Sequence, residues 1–166
     1  AGLKAKGITV NYDLDEKNRP GFKFAQNEMR GIPVRIGIGQ RDLDQNQVEI
    51  ARRDTKEKVM VPVDGVIDYV VHLLDQMQQD LFQKAKKFRS DNSHYVDTYD
   101  EFTQMIEEPG GFFYCHWDGT AETEARIKEE TKATIRCIPL DQPIENGKCM
   151  VTGAPSTGRV IIAKAY

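Results

Sequence analysis

Residues 19–43 read RPGFKFAQNEMRGIPVRIGIGQRDL, and this stretch decides the fold of the first half of the chain. Pro20 suits the first turn of a helix and Gly31 suits its end, so we predict a helix between them. The IPVRIGI segment that follows alternates as a strand, with apolar side chains on one face and Arg35 on the other. A helix followed at once by a strand predicts an αβ unit.

The neighbouring segments extend this unit in both directions. ITVNYDLD, at residues 8–15, alternates as a strand, RDLDQN is rich in turn-forming residues, and VEIARRD and KVMVPV are two further strands joined by DTKE. From Asp64 a long helix is predicted, because apolar residues recur every three or four positions. Its expected continuous stripe is Ile67, Val70, Leu74, Met77, Leu81, Ala85 and Phe88.

The second half predicts a separate arrangement of helices and strands. SDNSHYVD is a polar break, and Thr98 with Glu101 forms a capping box that opens a short helix. A strand (GFFYCHW), a charged helix (TAETEARIKEET), a strand (ATIRCIP), a long loop and a last strand (RVIIAKA) follow. We therefore predict α/β and α+β parts: an incomplete mixed sheet with helices over residues 1–70, a connecting helix over 71–95, and a small α+β domain over 96–166.

Charge and composition limit the function classes. The net charge is -3, yet residues 16–58 hold ten Lys or Arg against seven Asp or Glu, whereas residues 97–130 hold two against ten. The first region can face phosphates, although a solvated face explains such a pattern equally well. No apolar run is long enough for a membrane span, and the three cysteines fit reduced thiols. We expect a cytoplasmic protein that does not insert into membranes.

Sequence motifs of a self-contained active site are absent. The chain has no nucleotide-binding glycine loop, serine elbow or HExxH motif, and its three histidines lie in different predicted elements. The first half instead offers one aromatic ring, two carboxylates and two guanidinium groups: Phe24, Glu28, Arg35, Arg41 and Asp42. Carboxylates accept the N1–H and N2–H of guanine, arginine donates to O6 and N7, and a ring can stack on a base. The alternative is a core Phe24 with charges in surface ion pairs.

Six separated blocks resemble, in order, the C-terminal half of a prolyl-tRNA synthetase of the archaeal and eukaryotic-like type. They are RPGFKFAQNEMRGIPVRIGIGQRDL, VEIARRDTKEK, LFQKAKKFR, VDTYDEF, IKEETKATIRCIP and the terminal AKAY. The resemblance implies a class II anticodon-binding domain, lacking its first strand and most of its first helix, followed by the extra C-terminal domain of this type. The family's anticodon-reading positions fall on the same five residues, while Gly37 stands where relatives often have glutamate.

The resemblance also implies partners and cofactors. The partner would be tRNA(Pro), whose anticodons end in two guanines, with no DNA bound; the parent enzyme would be a homodimer that joins proline to tRNA using ATP and Mg. The family's class II catalytic domain precedes the matched segment, so we expect the chain alone to form no prolyl-adenylate. The carboxylate of Tyr166 would reach the parent's active site, or the last strand simply fixes an ordered end. A freestanding RNA-binding or interaction module is the alternative function.

The segment GKCMVTG, residues 147–153, begins like a zinc knuckle. In many relatives this loop and the turn near HWDGTAETE supply four cysteines, and the matching positions here are Asp118, Thr123, Cys149 and Thr152. Threonine hydroxyls are poor zinc ligands, so we expect no metal. Hydrogen bonds among Asp118, Thr123 and Thr152 are then expected to join the two loops.

Overall fold

The structure is a computed structural model that describes residues 1–164. The chain divides into two compact units, Ala1–Lys84 and Ala85–Tyr166. Tyr166, to which the sequence assigns a role, lies outside the described residues. Each unit is therefore described by itself.

The described residues contain six α-helices and nine strands. The helices are α1 (Gly2–Ala5), α2 (Pro20–Met29), α3 (Gln40–Asp44), α4 (Val66–Asp91), α5 (Tyr99–Met105) and α6 (Ala121–Thr131), with a 3-10 turn at Val63–Gly65. The strands are β1 (Val34–Gly37), β2 (Gln47–Arg52), β3 (Lys58–Pro62), β4 (Ser93–Tyr95), β5 (Phe112–His116), β6 (Ala133–Cys137), β7 (Gly147–Lys148), β8 (Pro155–Ser156) and β9 (Arg159–Lys164).

The first unit is a three-stranded sheet, in the order β1-β2-β3, with its apolar face against α4. Both strand pairs are antiparallel, so the parallel pairing expected of a mixed sheet is not found in residues 1–84. Alternation along β2 buries Val48 and Ile50 among side chains of α4, and leaves Glu49 on the other face. The two faces of this sheet therefore separate a core from a polar surface.

Two local predictions in the first unit are wrong. Residues 8–15 form no strand, and the Tyr12 and Leu14 side chains within them are exposed. The Asp13 and Asp15 carboxylates accept hydrogen bonds from backbone N–H groups two residues on, which favours turns over a strand ladder. The predicted turn RDLDQN contains the short helix α3, whose start is stabilised by a hydrogen bond from the Gly39 N–H to Asp42 Oδ2 at 2.8 Å.

The long helix α4 has the predicted period but not the predicted continuous buried stripe. Its buried residues are Val70, Leu73 and Met77, and they pack on the short sheet of the first unit. Beyond them Leu81 is 49% and Phe88 is 68% exposed. The three short strands give the first half of the helix a surface to cover, whereas the apolar positions of the second half stay exposed.

The second unit is a four-stranded sheet in the order β4-β5-β9-β6, in which β4 and β5 are parallel and the other pairs are antiparallel. Its core contains Phe102 and Phe113, whose rings meet edge to face with centroids 5.5 Å apart. The predicted capping box forms only in half: Thr98 Oγ1 accepts a hydrogen bond from the Glu101 N–H, but within residues 1–164 the Glu101 carboxylate accepts none from the Thr98 N–H. The predicted polar break is wrong at residues 93–95, which form the edge strand β4.

The long loop before β9 contains a small hairpin made of β7 and β8. Gly147 lies against the buried His116, because a Cβ atom at Gly147 would come within 2.2 Å of its Nε2. His116 Nδ1 also lies 3.1 Å from Ser156 Oγ, so the ring is part of the packing as expected for a structural histidine. Within residues 1–164, no helix is both long and apolar enough to cross a membrane.

Candidate nucleic-acid interface

Arg35 is held by two neighbours on the polar side of the first sheet. Its guanidinium carbon lies 3.6 Å above the centroid of the Phe24 ring, and its Nη1 donates a hydrogen bond to Glu49 Oε1 at 3.0 Å. Phe24 comes from α2, Arg35 from β1 and Glu49 from β2, so three elements meet here. One face of the Phe24 ring is therefore covered by Arg35.

Gly37, which has no side chain, lies next to the Arg35–Glu49 ion pair. In the β1–β2 pairing Gly37 is opposite Glu49, and a Cβ atom at Gly37 would lie 3.5 Å from Arg35 Nη1 and 3.7 Å from Glu49 Oε1. The other carboxylate oxygen of Glu49 lies 3.4 Å from Lys58 Nζ. Sequence reasoning missed Glu49. The alternation of Val48, Glu49 and Ile50 could have indicated that Glu49 faces away from the core, but only the strand register shows that it lies beside Arg35.

Glu28 faces a second set of cations, from the β2–β3 turn. Its carboxylate accepts a hydrogen bond from Lys56 Nζ, and its backbone carbonyl accepts one from Arg53 Nη1 at 3.4 Å. The hydrogen bond from Lys56 holds the pKa of Glu28 below its usual range, with smaller attractions from Lys56, Arg35 and Arg53. Glu28 is therefore a carboxylate acceptor surrounded by positive charge at neutral pH.

Arg41 and Asp42 lie on α3, in the loop between β1 and β2. One Asp42 oxygen caps this helix, while Arg41 is exposed. In the part of the chain that the structure describes, neither makes a hydrogen bond or ion pair with Phe24, Glu28 or Arg35. The structure thus brings Phe24 and Arg35 into contact, places Glu28 one helical turn after Phe24 and in an ion pair with Lys56, and shows no contact of Arg41 or Asp42 with these three residues.

The alternative reading of this surface holds in part. The Arg35 and Glu28 charges are indeed in ion pairs, with Glu49 and Lys56 respectively. Phe24 is not a core residue: it is only half-buried and is not part of the apolar cluster formed by the sheet and α4. An aromatic ring that packs under a guanidinium on a polar face orients that charge.

The two loops of the zinc-like segment meet at Asp118. Its Oδ2 accepts hydrogen bonds from Thr123 Oγ1 at 2.9 Å and Thr152 Oγ1 at 2.8 Å, and its Oδ1 accepts two more from the N–H and Oγ1 of Thr120. The predicted tie between the loops is confirmed. Cys149 is 2% exposed and bonds through its backbone to Ala154 and Gly153.

Hydrogen bonds lower the pKa of the Asp118 carboxyl group. Partial desolvation favours the neutral acid, but the hydrogen bonds from Thr152, Thr120 and Thr123 outweigh it and lower the pKa of Asp118 to about 2. Residues 1–164 contain no group of three or more His, Cys, Asp or Glu side chains that could hold a metal ion. That the chain carries no zinc stays a prediction, tested below.

Each half of the chain matches a known protein family. Residues 1–73 match the family described as anticodon binding domain, and residues 99–166 match the family described as prolyl-tRNA synthetase, C-terminal. Proteins named proline--tRNA ligase are similar over nearly the whole chain: 56% identical in Porphyromonas gingivalis, over 99% of this chain and 33% of the relative. The relative from Cytophaga hutchinsonii is 53% identical and that from Bacteroides fragilis 54%, each over 100% of this chain and 34% of the relative.

The chain spans about a third of the length of the curated relatives it matches. The two family matches fall in the same order as the two units, one over the three-stranded sheet and the other over the four-stranded sheet. The chain is therefore similar over its whole length to about a third of the length of proteins named proline--tRNA ligase, and its two parts match an anticodon-binding domain followed by the C-terminal domain of prolyl-tRNA synthetases.

Proposed function

We propose that the polar surface of the first unit binds the anticodon of tRNA(Pro). The observation that carries this proposal is the Phe24–Arg35–Glu49 arrangement: a guanidinium stacked at 3.6 Å on a ring and hydrogen-bonded at 3.0 Å across two strands. An arginine held in this way can present its remaining N–H groups to O6 and N7 of an unstacked guanine. An anticodon that ends in two guanines contains two bases that could be recognised in this way.

The other predicted residues have complementary parts in this proposal. Glu28, ionised beside Lys56, accepts the N1–H and N2–H of a guanine. The oxygen of Asp42 not used by the helix cap accepts an N–H of a second base. Arg41 is exposed on the same loop as Asp42 and donates to a base or a phosphate. Phe24 acts mainly as the support of Arg35, since one of its faces is covered.

The chemistry of the whole synthetase is a wider proposal. We infer that the chain is part of a cytoplasmic, homodimeric proline–tRNA ligase, with its anticodon-binding part at about residues 1–70. The predicted connecting helix 71–95 ends at Asp91, since residues 93–95 form β4, so the predicted C-terminal domain 96–166 also includes this strand. A catalytic domain outside this chain would use ATP with Mg to activate proline, and the carboxylate of Tyr166 would approach that site. Because the relatives carry the matched segment within proteins about three times as long, this proposal is favoured over a freestanding module.

The test of anticodon binding uses single substitutions and a proline anticodon stem-loop. Arg35→Ala and Asp42→Ala should each weaken binding of the stem-loop by about 1–3 kcal/mol, as expected when a paired base contact is lost. Fluorescence anisotropy at one fixed salt concentration measures this, because salt changes every phosphate contact.

The matched control is a stem-loop in which adenines replace the two guanines. If Arg35→Ala weakens binding to both stem-loops equally, the side chain contacts phosphate and does not read bases. If neither substitution weakens binding to the guanine stem-loop, this surface is not the anticodon site. Thermal melting of each variant checks that the fold is retained.

A further inference from the structure

We propose that Glu49 is a positioning residue for base recognition: it fixes the direction in which Arg35 presents its free N–H groups to guanine. This inference rests on the proposed anticodon-binding function and deepens it. Glu49 is not among the residues that sequence reasoning selected. Its place in the site follows from the β1–β2 register and from its contact with Arg35.

An arginine that reads a base needs its guanidinium plane fixed. The guanidinium carbon of Arg35 lies 3.6 Å above the face of the Phe24 ring, and this close contact restricts the tilt of the guanidinium plane. Stacking alone leaves the guanidinium free to rotate within that plane. A base edge is recognised by two hydrogen bonds in fixed directions, so a second constraint is required.

The carboxylate of Glu49 supplies that second constraint. It accepts a hydrogen bond from Arg35 Nη1 at 3.0 Å, and this bond fixes the rotation of the guanidinium. In residues 1–164, the other N–H groups of the guanidinium remain available as donors. Both side chains are partly shielded from water, with 19% of Arg35 and 30% of Glu49 exposed, so the contact is less screened than a fully exposed pair. Arg35 is thus ordered before RNA arrives, which lowers the entropic cost of binding.

Glu49 is itself held in place. It lies on β2 between the buried Val48 and Ile50, and its second oxygen faces Lys58 Nζ at 3.4 Å. Gly37, on the neighbouring strand, has no side chain to displace the carboxylate, whose Oε1 lies 3.7 Å from the position that a Cβ would take. The carboxylate is therefore held by two cations, Arg35 and Lys58.

The experiment compares Glu49→Gln with the unchanged 166-residue chain and with Glu57→Gln as a matched control. Glu57 lies in the adjoining β2–β3 turn and accepts a hydrogen bond from Thr55, so its substitution removes the same charge from the same hairpin. Binding is measured with three stem-loops: the proline anticodon, the same RNA with 7-deazaguanine at the two guanines, and the same RNA with adenine there. The 7-deaza base lacks N7, an acceptor for the Arg35 donors.

We expect Glu49→Gln to bind the guanine stem-loop roughly tenfold more weakly and to lose most of the discrimination against 7-deazaguanine, while Glu57→Gln keeps it. If Glu49→Gln discriminates between guanine and 7-deazaguanine as well as the unchanged chain does, Glu49 does not position Arg35. If Glu49→Gln instead binds all three RNAs more tightly by the same factor, the Glu49 charge only repels RNA, and the positioning role is again overturned. If the unchanged chain itself does not prefer guanine to adenine, the proposed function fails, and this inference with it. Melting temperatures confirm that the variants are folded.

Discussion

Replacing Asp118 with asparagine tests whether a hydrogen-bonded carboxylate joins the two loops of the second unit. Asparagine keeps the shape of the side chain and one acceptor oxygen, but it removes the charge and turns the other oxygen into an N–H donor. In the unchanged chain both oxygens accept hydrogen bonds, from Thr123 and Thr152 on one side and from Thr120 on the other. The substitution therefore breaks at least one side of this network.

Two estimates of the lost stability agree. The pKa of Asp118 falls from 3.8 to about 2, and solvent screening at this partly exposed group reduces the corresponding stabilisation of the folded, ionised state to about 1–2 kcal/mol. The hydrogen bond from Thr123 gives a similar figure: this side chain is 4% exposed and cannot turn to water, and a buried bond to a charged group contributes about 1.5–3 kcal/mol. Thr120 and Thr152 are exposed and add little.

The stabilisation should depend on pH in a defined direction. Because the folded-state pKa lies below the unfolded value, the contribution is complete above about pH 5 and is lost as the pH falls toward 2. Roughly 1 kcal/mol of it should disappear between pH 5 and pH 3. Asp118→Asn should be less stable at pH 7 by about 1–2 kcal/mol, and its deficit should shrink over this acidic interval.

Urea unfolding of both proteins at several pH values measures the difference directly, because other carboxylates titrate equally in the two chains. Asp141→Asn, at an exposed position in the loop between β6 and β7, is the control and should change stability by less than about 0.5 kcal/mol. A deficit for Asp118→Asn that is no larger than the control, or that stays constant from pH 7 to pH 3, would refute the assigned network.

Three further predictions concern the second unit. Gly147→Ala should destabilise the fold by about 2 kcal/mol in urea unfolding, since the new Cβ would lie 2.2 Å from His116 Nε2; a neutral result would mean that the ring moves freely. Arg159→Met should cost about 1.5–3 kcal/mol, because this buried guanidinium bonds to Asp97, Glu145 and the Tyr114 carbonyl while the two carboxylates are exposed enough to be solvated without it; an unchanged melting temperature would contradict this. The purified chain should contain well under one equivalent of zinc, and a chelator should leave its melting temperature unchanged; one bound equivalent would show that the loops hold a metal after all.

Local signals in the sequence predicted the elements whose causes are themselves local. Pro20 and Gly31 mark the ends of α2, and Thr98 caps α5 through its own side chain, so both helices lie where expected. The strand predicted at residues 8–15 failed because alternation indicates a strand only where a neighbour pairs with it, and turn-forming hydrogen bonds to Asp13 and Asp15 prevail there.

The missed strand β4 shows the opposite effect. Ser93 and His94 are polar and predict a break, yet β4 pairs in parallel with β5, while His94 lies against Phe113 and Tyr95 stacks on Tyr114 with centroids 4.8 Å apart. These contacts come from residues distant in the sequence. Tertiary pairing therefore overrides local propensity at this edge.

The candidate RNA surface was predictable in its residue types but not in its geometry. The chemistry of guanine recognition selected Arg35 and Glu28 from the sequence, and the structure adds the partners that orient them, Glu49 and Lys56. Those partners depend on strand register and on the path of the β2–β3 turn. A single sequence does not specify either one, because a shift of one residue moves every side chain to the other face.

The central claim is that the polar face of the first unit reads guanines of a proline anticodon. The most direct measurement is the affinity of the unchanged 166-residue chain for the proline anticodon stem-loop and for the same stem-loop with adenines at the two guanines, at equal salt. Guanine recognition predicts binding at least tenfold tighter to the guanine stem-loop, since each mismatched base contact costs about 1–3 kcal/mol. Equal affinity for the two RNAs would contradict the account.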